Sequence, residues 1–403
     1  MNKVELLAPA GSFEKAKIAF LYGADAIYCG TSSLSLRTRA DMDNNNLAKT
    51  IKYAHSINKK VYVTLNIIAR DKDFIDMKDY VLFLEKAKVD GVIVADLGVT
   101  AFIRQVAPNL AVHVSTQANI INSYSAKLMA DLGVKRIVLA RELSLEEIKE
   151  IRKNLPAEIE LETFVHGAMC ISYSGRCLLS NYLTGRDSNR GECVQACRWE
   201  YTITEKSRKG DGLEIQEDDK GTYILNSKDL NMLENMRDLI EAGVASFKIE
   251  GRMKSPYYVA TVVNAYRRAI DNIVKDKEYK VSEELKQELE KTSHRKYTTG
   301  FYYGANDKEN ILSSMPVQTH EFMALVLEET KDGYALIEQR NRFKVGDKLE
   351  ILSPKENFNK EIVITEMKNE KGEIVEDAKN VQEKLYIKTD IKLYNNDILR
   401  KKI

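Results

Sequence analysis

Over its first 275 residues the chain alternates short β-branched apolar runs with longer amphipathic stretches, and after Pro316 it changes to short runs of alternating apolar and polar positions. A period of two, or a brief unbroken apolar run, fits a strand, whereas apolar positions three to four apart fit a helix lying on a sheet. On that basis the chain predicts eight strands, at Val4–Ala8, Ala26–Cys29, Val61–Asn66, Gly91–Ala95, Val112–Ser115, Arg136–Ala140, Ile159–Val165 and Ser246–Glu250. The intervals hold helices: Glu14–Leu21 behind a Ser12 cap, Leu47–Ile57, Asp76–Lys88, Leu145–Arg152 behind Ser144, and a seventh crossover helix over Asp229–Ala242 capped by Ser227 or Asp229. Eight strands with helical crossovers predict an α/β fold, a closed (β/α)8 TIM-like barrel, with an open doubly wound sheet as the alternative. No GxGxxG follows any strand.

A long helix is expected after Pro256, running through Tyr266 to about Val274, and a charged one over Ser282–Lys291. The late runs are Phe322–Leu327, Tyr334–Gln339, Lys348–Leu352, Glu361–Met367 and Tyr386–Lys388, separated by Gly333, Gly346 and Gly372, and they predict a small all-β barrel. The expected division is a barrel over 1–275 containing a cysteine-rich insertion at 167–226, a helical and basic-aromatic linker over 276–315, and a C-terminal β-barrel domain over 316–403. Within the insertion, Tyr201–Thr204 and Thr222–Leu225 read as β-like runs flanking a polar loop over Lys206–Lys220.

Charge and cysteine usage change this picture. With 61 basic and 60 acidic residues the net charge is +1, so any contact with nucleic acid needs a local basic patch. The run HRKYTTGFYYG, His294–Gly304, interleaves cations with aromatic rings and is one such candidate, against the plainer reading of a linker packed by its own aromatics. No stretch approaches the ~20 apolar residues of a membrane span, and no leader-like run opens the chain, so a cytosolic protein with no membrane contact is expected. Four of the five cysteines, Cys170, Cys177, Cys193 and Cys197, fall in one short stretch with Arg176, Arg186, Arg190 and Arg198 among them. In a reducing compartment such a set reads as a metal or iron-sulfur site before it reads as disulfides. The irregular spacing suits a cluster better than the paired CxxC of a zinc ribbon, with zinc or merely buried thiols as the alternatives. Cys29 stands alone and is left out of the set.

If the barrel closes, residues just past each strand share its catalytic face. That places Asn66, Gln117, Arg141 and Lys254 as candidate substrate-binding residues and His166, Glu250 and Arg252 as candidate catalytic ones, His166 as a proton shuttle near neutral pH. Arginine and lysine at strand ends suit a small anionic ligand. The cysteine insertion follows the seventh strand, so it projects from this same face. The chain offers no HExxH and no GxSxG, which argues against the commoner peptidase chemistries, although Cys170 and His166 lie four residues apart.

The run ETFVHGAMCISYSGRCLLS, with Glu162, Phe164, Gly167, Ala168, Cys170, Gly175, Cys177 and Ser180, resembles the signature of the U32 family, historically the collagenase-like peptidases. The similarity continues in ELLAPAGS (Glu5–Ser12), NRGECVQACRW (Asn189–Trp199), ILNSKDL (Ile224–Leu230) and SFKIEGRMKSPYYVATVVNAYRRAID (Ser246–Asp271). The chain looks most like the branch that makes 5-hydroxyuridine at the wobble position of tRNA. That resemblance implies a 4Fe-4S cluster on the four cysteines, prephenate as co-substrate, tRNA as partner and a terminal β-domain suited to docking it, with a purely structural cap as the equal alternative for that domain. A U32 peptidase, or a non-catalytic iron-sulfur subunit working with a U32-family partner protein, are the alternatives it leaves open.

Overall fold

Each of the eight early runs becomes a parallel strand in the computed structural model, which describes residues 4–31, 34–35, 42–170, 172–199, 217–218, 221–222, 227–304 and 316–403. The strands are β1 (Glu5–Pro9), β2 (Ala26–Gly30), β3 (Lys60–Leu65), β4 (Gly91–Val94), β5 (Val112–Val114), β6 (Arg136–Val138), β7 (Glu160–Ala168) and β8 (Ser246–Ile249). Each pairs with its neighbour in sequence, and β8 pairs with both β7 and β1, opposing Ser246 to Glu162 on one side and to Glu5 on the other. The sheet therefore closes, and the open doubly wound alternative is excluded. Helices α1 (Phe13–Leu21), α2 (Asn44–Ser56), α3 (Met77–Lys86), α4 (Leu97–Val106), α5 (Ser123–Asp131) and α6 (Leu145–Lys153) lie between successive strands. Ser12 and Ser144 cap α1 and α6 through their hydroxyls, and Glu147 closes a capping box on Ser144.

Alternate strand residues face two different environments. Leu6, Ala8, Ile27, Cys29, Val61 and Val63 join the large core under the helices, so Cys29 is a buried packing residue. Leu7, Ala26, Tyr28, Tyr62 and Ile93 form a separate cluster inside the barrel. Against those interior rings lies a charged group. Arg136, 2 % exposed, reaches Glu5 at 2.6 Å, Glu160 at 2.5 Å and Glu162 at 3.0 Å, and Lys248 reaches Glu162 at 2.8 Å. The Arg136 guanidinium lies over the Tyr62 ring and the Lys248 ammonium over that of Tyr28. Burial alone would raise the Glu162 carboxyl, and the charges of Lys248 and Arg136 outweigh it and hold it below the usual carboxylate range.

Several elements differ from the sequence expectation. Residues Asp229–Asn231 form a short strand antiparallel to the end of β7, and the crossover helix is only α8 (Met236–Glu241). The strand wins because Asp229 and Leu230 find backbone partners in Ala168 and Gly167, which a helix could not offer. Neither Ser227 nor Asp229 is therefore the helix cap. The long helix α9 (Pro256–Lys275) and the charged α10 (Glu283–Glu290) appear as expected, but the segment beyond them is no free linker. Tyr297–Thr298 extends the barrel sheet beside Asp229–Leu230, and Tyr302 is buried with its hydroxyl donating to Phe164 O at 2.6 Å. The β-like runs at Tyr201–Thr204 and Thr222–Leu225 and the loop over Lys206–Lys220 fall outside the described residues, apart from the pairing of 217–218 with 221–222.

The C-terminal domain is a seven-stranded antiparallel sheet in the order Glu361–Val363, Lys348–Leu352, Ile398–Lys402, His320–Lys331, Tyr334–Gln339, Lys384–Lys388, Met367–Asn369. The expected strand Glu361–Met367 splits in two, and its halves sit on opposite edges. Only three residues, 364–366, join those edges, so the sheet must curl back on itself around its own core. Strand Ile398–Lys402 lies near the centre, and its polar sequence hides it. Arg400 is fully buried because it crosses to Glu288 on α10, at 2.6 Å and 2.7 Å. With Tyr22 Oη donating to Leu352 O at 2.8 Å, that pair ties the domain to the barrel. Removing the charge that holds Lys248 should be costly, since breaking a buried pair leaves an uncompensated ion. Glu162→Gln is expected to destabilise the chain by about 3–5 kcal/mol, read as a lowered urea midpoint, and an unchanged midpoint would contradict this placement.

Candidate functional site

Beyond His166 the chain leaves the barrel in a lobe that turns back over the mouth. Gly167 makes the turn possible: its φ is +107°, and a Cβ there would press on the Glu250 carbonyl. Among the described residues of the lobe, 169–199, there is one short helix, α7 (Leu179–Thr184), and two single turns at Ser188–Arg190 and Ala196–Arg198. Little regular structure holds it, so its position depends on contacts with strand-end loops. Ser174 N donates to Glu142 Oε1 at 2.8 Å, and Ser174 Oγ donates to Glu142 Oε2 at 3.0 Å. Arg190 grips Asp73 with both terminal nitrogens, at 2.8 Å and 2.9 Å, and Ile68 N donates to Asn189 O at 3.1 Å. Gly175, at φ +73°, lies so close to Gln117 that a Cβ would fall onto its carbonyl oxygen.

Two cavities result. The barrel mouth holds one of only about 50 Å³, lined by Tyr28, Asn66, Gln117, Lys248 and Arg252 among others. Above it, between lobe and barrel, opens one of about 790 Å³ that takes in Cys170, Cys193, Cys197, Lys254 and Arg295. Arg141 and Glu250 line both, so they stand at the junction. The Arg141 guanidinium rests 4.2 Å over the Phe164 ring and donates to Ala168 O at 3.3 Å, while its Nε is buried without a hydrogen-bond partner among the described residues. Arg252 is 4 % exposed and donates to Ser35 and Thr64 hydroxyls at 2.7 Å and 2.9 Å. Glu250 accepts from the Tyr28 hydroxyl at 3.3 Å, and Asn66 donates to Ser115 Oγ at 3.5 Å. Lys254 donates to Ser293 O at 3.0 Å, and burial holds its pKa below the usual lysine value.

The four lobe cysteines act on one another. Burial raises the Cys197 thiol, Arg198 opposes the rise, and Cys170, Cys193 and Cys177 each add to it. Burial likewise raises Cys170, against a Ser172 N–H bond and the Arg141 charge, with Cys177 and Cys193 adding to the rise. Cys177 goes the other way. Burial would raise it, but hydrogen bonding by Ser172, Ser188, Leu179 and Ser180 outweighs burial and lowers it. The set is thus within mutual electrostatic reach, and the Ser180 hydroxyl donates to Cys193 Sγ at 3.8 Å. Among the described residues, no three His, Cys, Asp or Glu side chains converge at single-ion distances. A tetrahedral zinc with Zn–S bonds of about 2.3 Å requires thiols in mutual contact. A cluster takes one thiolate per iron and tolerates wider spacing.

The sequence-derived candidates divide accordingly. Asn66, Gln117, Arg141, Glu250 and Arg252 meet at the mouth, and Lys254 lines the upper cavity. His166 lines neither. It is 1 % exposed, ringed by Tyr258, Tyr266 and Tyr297, with Nδ1 3.3 Å from Tyr266 Oη, and no hydrogen bond joins it to a thiol among the described residues. Burial, then the charges of His294 and Lys254, push its pKa down to about 3, so the ring is neutral at physiological pH. Lys248 escaped the sequence reading because it lies within a strand; a lone lysine between Phe247 and Ile249 was the available signal.

A barrel whose seventh strand feeds a cysteine lobe across its own mouth, followed by a curled β-domain, defines a two-part α/β-barrel protein with a thiol-lined site. The chain belongs to peptidase family U32: the family model matches residues 11–312, and that of the U32 C-terminal domain matches 318–400. It is 40 % identical over 406 residues to a tRNA hydroxylation protein P1 of Bacillus subtilis, covering 99 % of this chain and 95 % of that one. To a tRNA hydroxylation protein P of Escherichia coli it is 39 % identical, covering 93 % and 91 %. A 23S rRNA 5-hydroxycytidine synthase of Escherichia coli is 38 % identical over 68 % of this chain and 40 % of its own length.

Because backbone meets backbone at Gly175, a side chain there must lift the lobe. Gly175→Ala is expected to speed limited proteolysis within 169–199 while leaving the far-ultraviolet circular dichroism of the barrel unchanged. Unaltered protease resistance would contradict this docking.

Proposed function

We propose that the chain hydroxylates RNA, specifically the wobble uridine of tRNA to 5-hydroxyuridine, with prephenate as co-substrate and a 4Fe-4S cluster on Cys170, Cys177, Cys193 and Cys197. The observation that carries the reading is the cysteine lobe roofing a cavity that opens onto a cationic barrel mouth, with Arg141 at the junction. Relatives matched over nearly the whole chain bear the name of tRNA hydroxylation proteins, and an rRNA hydroxycytidine synthase matches 68 % of it.

The mouth is too small for a whole organic acid. At about 50 Å³ it admits one carboxylate or a water or two. One carboxylate of the acid enters it toward Lys248 and Arg252, and the body of the acid stays in the larger cavity. Arg141 spans both spaces and takes the second carboxylate, its guanidinium seated over the Phe164 ring. Glu250, at the same junction, is the available proton acceptor. The uridine enters the 790 Å³ cavity unstacked, as chemistry on a base requires. With all four irons ligated by cysteine, the cluster would supply one-electron chemistry beside the substrate or hold the lobe in shape. A tRNA substrate places the protein in the cytosol, and among the described residues no helix is long and apolar enough to cross a membrane.

The peptidase reading draws on the family name. Its best residue pair, Cys170 with His166, loses support from the tyrosine enclosure of the imidazole. In a strain lacking the gene, nucleoside analysis of bulk tRNA should show loss of 5-hydroxyuridine and its derivatives, restored by the wild-type chain. Arg141→Ala is expected to restore less than about a tenth, given the roughly 2–5 kcal/mol attached to truncating one partner of a buried charged contact. Full restoration by Arg141→Ala would refute the carboxylate role, and unchanged nucleosides in the deletion strain would refute the reaction.

A further inference from the structure

The rings expected to meet nucleic acid in His294–Gly304 are already engaged. Tyr297 stacks 4.4 Å from the His294 ring, Tyr302 is buried, and the Tyr303 hydroxyl bonds Asp238. Tyr303 stays 47 % exposed and Tyr124 on α5 is 82 % exposed, but three exposed rings lie together in sequence on the cysteine lobe, where Tyr173 is 59 % exposed, Tyr182 81 % and Trp199 43 %. Leu178, 66 % exposed, sits just before α7, the helix that carries Tyr182. Apolar and aromatic surface gathered on a lobe of about thirty residues marks a contact site.

Charge identifies the partner. Residues 169–199 hold four arginines against Asp187 and Glu192 and no lysine, so the attraction for an anion is local to the exposed arginines rather than a net charge of the lobe, which the thiolates of a bound cluster would offset. Arg190 is bound to Asp73, whereas Arg176 and Arg186 are exposed and neither forms an ion pair among the described residues. Arg186 and Arg198 line the large cavity, so the basic rim and the entrance coincide. Exposed flat rings on the same lobe as guanidinium groups that line a cavity suit unpaired bases and their phosphates.

We infer that the exposed face of the cysteine lobe is the docking surface for a single-stranded RNA loop, with Tyr182 and Tyr173 stacking bases and Arg176 and Arg186 meeting phosphates. The inference rests on the RNA reading above and adds to it the place of contact. The same lobe that holds the cysteines then delivers the target base into the cavity beneath it.

The test measures binding of a synthetic anticodon stem-loop to the full chain at several salt concentrations. Tyr182→Ala is expected to weaken binding roughly 5- to 100-fold without changing the salt slope, and Tyr182→Phe to bind as wild type. Arg186→Ala should weaken binding and reduce the slope by about 0.7. Each side chain is exposed, so iron and sulfide content serves as the check that the lobe is intact. Wild-type affinity in both alanine variants, while the wild-type chain binds the stem-loop, would overturn the docking surface and leave the RNA reading standing. Unaltered RNA affinity with lost self-association in sedimentation would assign the face to a second copy and also overturn it. Failure of the wild-type chain to bind RNA would overturn the RNA reading, and this inference with it.

Discussion

A carboxylate with no solvent exposure, Glu162, lies inside the barrel between Arg136 and Lys248, and the rest of the site is built on that arrangement. Desolvating three charges is expensive unless each is paired, and here each is. The pairings join β1, β6, β7 and β8 across the interior, including the seam where the barrel closes. They also fix Lys248 under the mouth, where it lines the small cavity together with Arg252 and Glu250.

From this base β7 runs on past the barrel to Ala168 and feeds the cysteine lobe. The lobe has almost no core of its own, and its place is set by a few specific contacts: Ser174 on Glu142, Arg190 on Asp73, and Gly175 against the Gln117 backbone. Those partners sit on loops after β3, β5 and β6, so three sides of the mouth hold the roof. A roof so dependent on contacts gains rigidity from anything that ties its cysteines together, which gives the proposed cluster a structural consequence beside any redox one. Arg141 and Glu250 connect the two cavities, and they are where an acid below and a base above would meet.

Much of the barrel was legible because its signals are local. Apolar runs of the right length, and serines at Ser12 and Ser144, mark elements whatever the rest of the chain does. The failures were decided by distant partners. Asp229–Asn231 carries a helix-start signal, but the end of β7 lies beside it and offers backbone hydrogen bonds. Ile398–Lys402 reads as a polar tail until Glu288 on α10 supplies the partner that buries Arg400. In the site, the mouth residues Asn66, Gln117, Arg141, Glu250 and Arg252 followed from strand ends alone. His166 follows the expected strand end at Val165, yet β7 runs on to Ala168 and the ring is enclosed by Tyr258 and Tyr266 of α9 and by Tyr297. Nothing local distinguishes those outcomes, because what differs is which later segment folds back over the strand end.

The central claim is that the four lobe cysteines hold an iron-sulfur cluster above the anion-binding mouth. The most direct measurement is anaerobic purification followed by iron and acid-labile sulfide analysis, with the visible spectrum recorded before and after exposure to air. The account predicts about four irons and four sulfides per chain, and a broad brown absorption that bleaches in air. Zinc in their place, or a colourless chain with neither iron nor sulfide, would contradict it.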